Sequence, residues 1–261
     1  MLDKTEQSKW LIQLNTSNDE RVRLIVFPYA GGSAGAFRPW RDRLPGWISV
    51  QLIQLPGREN RFNEPPISKW DEITNSIADA GMLLDGPPVV LFGHSMGSIL
   101  AFEVARELRR RHDRPPAALI VSGRCAPQLD SRMPPLAHLN GRDLVYRLTE
   151  LYGGIPTEAL ADPELVELMA HLLKADLQVV EDYRYVPQPP LACPIAAYGG
   201  TRDPLVTSVE LCAWSEQTRS GFRSELYPGD HFYFRGTESE NRLLAEVRRI
   251  CATASGLATN G

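Results

Sequence analysis

The chain has 261 residues, of which 43% are hydrophobic and 23% charged. This composition allows a sizeable buried core and excludes a disordered tail or a coiled coil. The formal net charge of −4 argues against a nucleic-acid-binding protein, which concentrates basic residues. The sequence starts without the basic and apolar regions of a signal peptide, and no run approaches the roughly 20 apolar residues that cross a bilayer. We therefore expect a soluble cytoplasmic protein that binds neither nucleic acid nor membrane.

Short apolar runs alternate with segments of helical spacing along most of the chain. Nearly continuous apolar runs are typical of strands buried on both faces, and a repeated strand-then-helix order predicts a mostly parallel sheet with helices on both faces. The length fits one α/β domain over residues 1–261. The predicted strands are residues 10–14, 22–27, 48–55, 88–92, 117–121, 195–198 and 222–226. The predicted helices around this sheet are residues 36–44, 68–84, 96–111, 206–217 and 239–252.

The interval from about residue 127 to residue 190 has helical patterns and no convincing strand. Leucines and valines recur at helical spacing over residues 140–152 and 162–183, and proline and glycine pairs separate these segments. We interpret the interval as a helical lid inserted between two strands of the sheet. The alternative is that these helices simply extend the core.

The four cysteines are far apart and form no CxxC pair, so the sequence predicts neither a zinc site nor a redox motif. We expect them to be reduced and mostly buried. They are Cys125, Cys193, Cys212 and Cys251.

The segment LFGHSMGSIL places Ser95 between two glycines, after a predicted strand and before a predicted helix. A GxSxG match alone is a weak signal, but in a strand-turn-helix context it predicts a nucleophile elbow. Gly93 and Gly97 fit this turn, because its strained backbone and the close approach of helix and strand leave no room for a side chain. A serine hydroxyl is a weak nucleophile, so a histidine base and an orienting carboxylate are also required.

His231 is the best candidate for the base. It follows the last predicted strand in LYPGDHFYF, where a Pro-Gly turn delivers it to a loop at a strand end. His94 adjoins Ser95, and we expect it to support the turn by packing or hydrogen bonding. The other three histidines are interpreted as surface or packing residues. They are His112, His138 and His171.

Asp203 is the best candidate for the acid, because GGTRDPLV follows a predicted strand. The first rival is Asp130, the nearest carboxylate after an earlier strand. The second is Asp230, but neighbouring loop residues rarely present their side chains for a hydrogen bond to an imidazole. The chain order Ser95, Asp203, His231 is the nucleophile, acid, base order of α/β-hydrolases.

Acyl transfer also requires backbone N–H groups that stabilise a developing oxyanion. Met96, directly after the nucleophile, is expected to supply one. The second is assigned to Ala30, in the glycine-rich loop FPYAGGSAG that follows the second predicted strand. The side chains and amides supply every role in this chemistry, so we expect no metal and no organic cofactor.

Five segments make the chain resemble a known family over nearly its whole length. They are FPYAGGSAGAFRPW, QLPGRENRF, FGHSMGS, YGGTRDPLV and PGDHFYF, of which the first two are more specific than the elbow. The sequence resembles the type II thioesterases that accompany modular polyketide and nonribosomal peptide synthetases. The resemblance implies an α/β-hydrolase core with a helical lid. It also implies the removal of aberrant or stalled acyl groups from the phosphopantetheine arm of carrier domains.

The resemblance assigns the roles in more detail. It implies that Ser95 attacks the thioester carbonyl and that the partner is an acyl or peptidyl carrier protein. We also expect a monomer. Two positions depart from the pattern, because Tyr29 replaces a common histidine and Ser98 replaces a common alanine. These departures concern substrate preference and remove no catalytic group.

Alternative functions remain open at this stage. The same triad cleaves esters and amides, so a general carboxylesterase or lipase is the first alternative. A catalytically silent hydrolase fold that acts as a binding module is the second, although the intact triad argues against it. Arg58, Arg61 and Arg124 either help to dock an acidic carrier protein or are ordinary surface or buried paired charges.

Overall fold

The computed structural model describes residues 9–15, 19–79, 85–235 and 237–257. All seven predicted strands are present, within two residues at either end. They are β1 (Leu11–Gln13), β2 (Val22–Phe27), β3 (Ile48–Ile53), β4 (Val89–His94), β5 (Ala118–Ser122), β6 (Ile195–Gly200) and β7 (Phe222–Tyr227). They form one sheet in the order β1-β3-β2-β4-β5-β6-β7. Strand β1 is antiparallel to β3, and all other pairs are parallel.

The inner strands are buried on both faces, as their continuous apolar runs predict. Every residue of β2 to β6 is buried, whereas β7 at the edge is mostly half-buried. Alternate residues of β2 enter two different hydrophobic clusters, because successive side chains of a strand point to opposite faces. Ile25 and Phe27 belong to one cluster, and Leu24 and Val26 to the other.

Helices cover both faces of this sheet. The α-helices are α1 (Trp70–Asp79), α2 (Met96–His112), α3 (Gly141–Tyr152), α4 (Thr157–Leu160), α5 (Pro163–Glu181), α6 (Ser208–Cys212) and α7 (Thr237–Ala254). Helices α1 and α2 contribute to one core cluster, and α7 contributes to the other. Of the predicted helix over residues 68–84, the last five residues lie outside the described part of the chain.

Two predicted helices differ in type from the expectation. The segment predicted over residues 36–44 is a 3-10 helix, Ala34–Asp42, with Pro39 inside it. Proline has no N–H to donate to an α-helical hydrogen-bond ladder, so a regular α-helix is disfavoured at this position. The segment predicted over residues 206–217 is the short helix α6 followed by a second 3-10 helix, Ala213–Gln217.

Three helices, α3, α4 and α5, lie between β5 and β6, and we refer to them as the inserted helices. They share a small hydrophobic cluster of their own. Helix α5 begins at Pro163, where proline is compatible with the first turn, and the Asp162 side chain accepts hydrogen bonds from the N–H groups of Glu164 and Leu165. Helix α4 was not predicted from the sequence.

The cysteines are free thiols, of which three are buried and Cys212 is exposed. Burial raises the pKa of Cys193 and of Cys251 to about 12, so both thiols stay protonated and unreactive at neutral pH. Within the described ranges, none of the helices has the length and apolar character needed to cross a membrane.

Candidate active site

Ser95 lies in a sharp turn between β4 and α2. Its backbone has φ 55° and ψ −116°, outside the usual region for a residue with a side chain, and its N–H donates to Ser122 O at 2.7 Å. A Cβ at Gly93 would overlap the carbonyl of Gly97, and a Cβ at Gly97 would overlap the carbonyl of Phe27. The two glycines therefore permit the strand and helix to approach closely enough to form the elbow.

His231 and Asp203 are brought together by the loops that follow β7 and β6. The distance between His231 Nδ1 and Asp203 Oδ2 is 2.8 Å, and both side chains are at most 5% exposed. The other oxygen of Asp203 accepts the N–H of Leu205 at 2.9 Å, which fixes the orientation of the carboxylate. This arrangement holds the imidazole in one orientation and leaves its Nε2 for proton transfer.

The two rival acids are placed elsewhere. The Asp230 carboxylate accepts the N–H of Phe232 at 2.8 Å and so stabilises its own turn. Asp130 is exposed and lines a different cavity. The three histidines interpreted as surface or packing residues are all exposed: His112, His138 and His171.

His94 is buried beneath the site and supports it by packing and hydrogen bonding. Its ring centroid is 4.8 Å from that of His231, and its Nδ1 is 2.9 Å from Ser122 Oγ, which in turn is 2.7 Å from the hydroxyl of Tyr233. Burial lowers the pKa of His94 well below 6.5, and the nearby His231 and Arg235 lower it further. The ring is therefore neutral at physiological pH.

The loop after β2 brings a backbone amide to the same place. A turn closes where Gly32 N–H donates to Tyr29 O at 2.8 Å, with Gly31 at φ +73°. Within the described ranges, the N–H of Ala30 in this turn has no acceptor. Met96 is the first residue of α2, where an N–H has no partner within the helix. Both amides predicted as oxyanion donors are thus free to bind a ligand oxygen.

A cavity of about 260 Å³ joins these groups and is walled mainly by apolar side chains. The sheet side contributes Ser95, His231 and Ala30, and the inserted helices contribute most of the opposite wall. Residues of the inserted helices in that wall are Leu148, Tyr152, Met169, Leu172, Leu173 and Leu177. The buried Tyr152 hydroxyl has no hydrogen-bond partner in the described part of the chain, and burial raises its pKa to about 12.

The two departures from the family pattern have structural roles. Tyr29 packs edge-on against His94 and Phe232, and its hydroxyl accepts a hydrogen bond from Arg235 at 2.6 Å. Arg235 also donates to the carbonyl of Gly154 in the inserted segment at 2.9 Å. The fully buried Ser98 donates to Gly93 O at 2.8 Å and so joins α2 to the elbow.

The three arginines considered for docking differ from one another. Arg61 is buried, pairs with Glu64 at 2.6 Å and lies over the Trp10 ring. Arg58 is buried and pairs with Asp176 of α5. Arg124 is half-buried and lines a second cavity. Sequence reasoning missed the role of Asp176, although an acidic residue at the spacing of buried leucines was a usable signal.

No group of three or more histidine, cysteine, aspartate or glutamate side chains that could hold a metal occurs among the described residues.

The fold and the site together define the class of protein. A mostly parallel sheet with a serine in a strained turn after an inner strand, and an Asp–His pair at later strand ends, is an α/β-hydrolase. The profile of the thioesterase domain family matches residues 22–251. The chain belongs to this thioesterase family, whose members are hydrolases of thioesters.

Similar proteins include several from biosynthetic clusters. The chain is 38% identical over 236 residues to the gramicidin S biosynthesis protein GrsT of Aneurinibacillus migulanus, covering 90% of this chain and 92% of GrsT. Among solved structures, the type II thioesterase BorB from the borrelidin biosynthetic cluster has a TM-score of 0.85 and 35% identity, covering 93% of this chain and 98% of BorB. RedJ, a thioesterase of the prodiginine pathway in Streptomyces coelicolor, has a TM-score of 0.81 and 36% identity, covering 88% of this chain and 86% of RedJ.

Proposed function

We propose that this chain is a type II editing thioesterase. It hydrolyses aberrant or stalled acyl thioesters from the phosphopantetheine arm of carrier proteins in polyketide or nonribosomal peptide biosynthesis. The observation that carries the proposal is the buried hydrogen bond between Asp203 and His231, because the His231 ring lines the same cavity as Ser95. The choice of a carrier-bound thioester is supported by the relatives, because the same triad also cleaves oxyesters.

In the acylation half of the proposed cycle, Nε2 of His231 takes the proton from Ser95 Oγ as this oxygen attacks the thioester carbonyl. The N–H groups of Ala30 and Met96 donate to the oxyanion that forms. Asp203 accepts the Nδ1–H of the imidazole and stabilises its cation. The C–S bond then breaks, and the imidazolium gives its proton to the departing thiolate of the pantetheine arm, which leaves as the thiol.

In the deacylation half, a water molecule takes the position of the thiol. His231 removes a proton from this water as its oxygen attacks the acyl carbonyl, and the second oxyanion uses the same two amides. The ester bond to Ser95 breaks, the serine recovers its proton from the imidazolium, and a free carboxylic acid leaves.

The inserted helices have the role of a lid within the same domain in this proposal. They supply the apolar wall opposite the triad, which is suited to an acyl chain. Gly153 and Gly154, both with positive φ, form the end of α3 and lie near this wall, where the chain changes direction sharply. Movement of these helices would admit the pantetheine arm and then exclude water.

We further propose that the enzyme acts as a cytoplasmic monomer. A single chain supplies the triad, both amides and the cavity wall, so the site requires no second copy. The free thiols and the absence of a disulfide among the described cysteines are compatible with a reducing compartment.

Carrier proteins loaded with acetyl or propionyl pantetheine test this function directly. We expect the wild-type enzyme to release the acyl group, observed as a mass loss of the intact carrier. Ser95→Ala should reduce the rate by roughly 10⁴-fold or more, because no nucleophile remains. Ser131→Ala, at an exposed serine outside the catalytic cavity, is the control and should remain within about threefold of the wild-type rate.

One additional substrate and one reagent that labels an active serine separate the alternatives. A carboxylesterase would hydrolyse small oxyesters rapidly and leave the loaded carrier acylated. A silent binding module would leave both substrates intact, and its Ser95 would not react with an active-serine phosphonate. A carrier that stays fully acylated in the presence of phosphonate-reactive enzyme would contradict the proposed function.

A further inference from the structure

A buried ion pair joins the inserted helices to the loop that carries Ala30. Asp176 of α5 is fully buried, and Arg58, in the loop after β3, is 5% exposed. Their contact is bidentate, with Arg58 Nη1 at 2.9 Å from Asp176 Oδ2 and Arg58 Nη2 at 2.8 Å from Asp176 Oδ1. A buried charge pair of this kind requires additional hydrogen bonds to offset its desolvation.

Those additional hydrogen bonds come from the turn that contains Ala30. Asp176 Oδ2 accepts the N–H of Gly31 at 2.7 Å, and Arg58 Nη1 donates to the carbonyl of Gly32 at 2.8 Å. The ion pair thus holds the turn by one donor and one acceptor of its backbone. A side chain at Gly31 would be strained, because its φ is +73° and a Cβ there would be 2.6 Å from Leu173 Cδ2 of α5, which would have to shift.

The orientation of the Ala30 amide depends on this turn. The Tyr29–Gly32 hydrogen bond closes it, and Gly31 has the positive φ that its third position needs. The Gly31 N–H is directed to Asp176, whereas the Ala30 N–H has no acceptor among the described residues. The ion pair therefore gives the two amides different roles. The Gly31 N–H is bound to Asp176 of α5, and the Ala30 N–H is left to bind the substrate.

We propose that Arg58 and Asp176 are positioning residues that set the Ala30 amide and make the oxyanion site depend on the docked position of α5. The proposal rests on the proposed function of the Ala30 amide. Neither side chain touches the substrate. The middle of α5 is then an anchor of the oxyanion loop rather than a freely moving part of the lid.

Asp176→Asn tests the positioning role with little change in volume. We expect kcat for a loaded carrier to fall by about 10- to 100-fold, because the turn loses its charged partner and the amide is misplaced. We expect KM to stay within about twofold, because the oxyanion interaction is made mainly in the transition state.

A boronic acid that adds to Ser95 gives an independent readout. Its tetrahedral adduct places an oxygen at the oxyanion position, so its affinity should fall in parallel with kcat. A variant that was less stable but kept the oxyanion site intact in its folded state would not show this parallel decrease in kcat and boronate affinity.

Glu103→Gln is the matched control. Glu103 is also a buried carboxylate, 2.7 Å from buried Arg106, but it lies outside the catalytic cavity. We expect this variant to keep its kcat and its boronate affinity. An equal loss of kcat in both variants would overturn the positioning role.

Removing one partner leaves an unpaired buried charge, which can prevent folding. The double variant Arg58→Met/Asp176→Leu replaces both charges with apolar side chains. It therefore leaves no unpaired buried charge, and the test can be made on a folded protein. Wild-type kcat and boronate affinity in this folded double variant would also overturn the proposal. A failure of the proposed function is distinguishable, because the wild-type enzyme itself would then leave the carrier acylated.

Discussion

The sheet side and the inserted side of the catalytic cavity are built differently. On the sheet side, Ser95 and Asp203 of the proposed triad follow β4 and β6, in which every residue is buried, and His231 follows the half-buried edge strand β7. On the inserted side, α3 and α5 expose large apolar side chains. These are Tyr146, Leu165 and Leu168, each 38% or 39% exposed.

This difference suits the two sides to different tasks in the proposed reaction. Bond-making groups need to be held within a fraction of an ångström, and rigid strand ends provide this. An acyl pocket needs shape and access, which helices with few buried polar ties can provide. The buried Asp176 is the exception on the inserted side, because it joins α5 to the oxyanion loop. Substitutions on the two sides are therefore expected to have separate effects.

The largest effect is expected at the acid on the sheet side. Asp203→Asn should lower kcat by roughly 10³- to 10⁴-fold, because an amide no longer holds the required tautomer of His231 or stabilises its cation. Asp230→Asn is the matched control, since its exposed carboxylate accepts the N–H of Phe232 in its own turn, and its kcat should remain within about threefold. Steady-state hydrolysis of a loaded carrier measures both rates. A larger loss in Asp230→Asn would contradict the assignment of Asp203.

An intermediate effect is expected from one added methyl group on each side of the cavity. Gly97→Ala would place a Cβ against the carbonyl of Phe27, a backbone group that cannot move aside, and should lower the free energy of unfolding by about 4 kcal/mol or more. Gly154 has φ +86°, and a Cβ there would be 2.5 Å from the side chain of Phe232. Gly154→Ala should therefore lower the free energy of unfolding by about 1–3 kcal/mol. Urea denaturation measures both.

Gly153→Ala is the control for the inserted side. Gly153 also has positive φ, but a Cβ there meets nothing within 4 Å, so only backbone strain is added. Gly154→Ala should raise KM more than Gly153→Ala does, because only the former displaces a ring that lines the cavity. If Gly97→Ala and Gly154→Ala lowered the free energy of unfolding by the same amount, the inferred difference in rigidity between the sheet side and the inserted side would be contradicted.

Much of the sheet side could be predicted from the sequence. Its strands are continuous apolar runs, and the carboxyl ends of parallel strands meet at one edge, so Ser95, Asp203 and His231 could be placed by their positions after strands. The 3-10 character of Ala34–Asp42 could not be read from periodicity alone, because Pro39 changes the hydrogen-bond ladder without changing the apolar spacing.

The connection between the two sides was beyond sequence reasoning. Asp176 lies between Leu173 and Leu177 at the spacing of buried positions, which indicates a buried acid. Its partner Arg58 is 118 residues away in the chain, and no local pattern links the two. The sequence left Arg58 open as a docking residue, a surface charge or a buried paired charge, because pairing between distant segments depends on the packing of α5 against the loop.

The smallest predicted effect concerns the neutral His94 beneath the triad. Burial lowers its pKa in the folded state well below 6.5, so the unfolded chain binds an additional proton as the pH falls below about 6.5. Its contribution to the free energy of unfolding is therefore present above this pH. It decreases by about 1.4 kcal/mol per pH unit as the pH falls towards the folded-state pKa.

The difference between wild-type protein and His94→Asn isolates this proton. Urea denaturation at pH 7.5, 6.5 and 5.5 should give a steeper loss of stability for the wild type than for the variant. The raised pKa of buried Glu103 acts in the opposite direction in both proteins, so it cancels in the comparison. If the free energy of unfolding changed with pH equally in the wild type and in His94→Asn, His94 would take up its proton equally in the folded and unfolded chain. The neutral, rigidly packed ring inferred beneath the triad would then be contradicted.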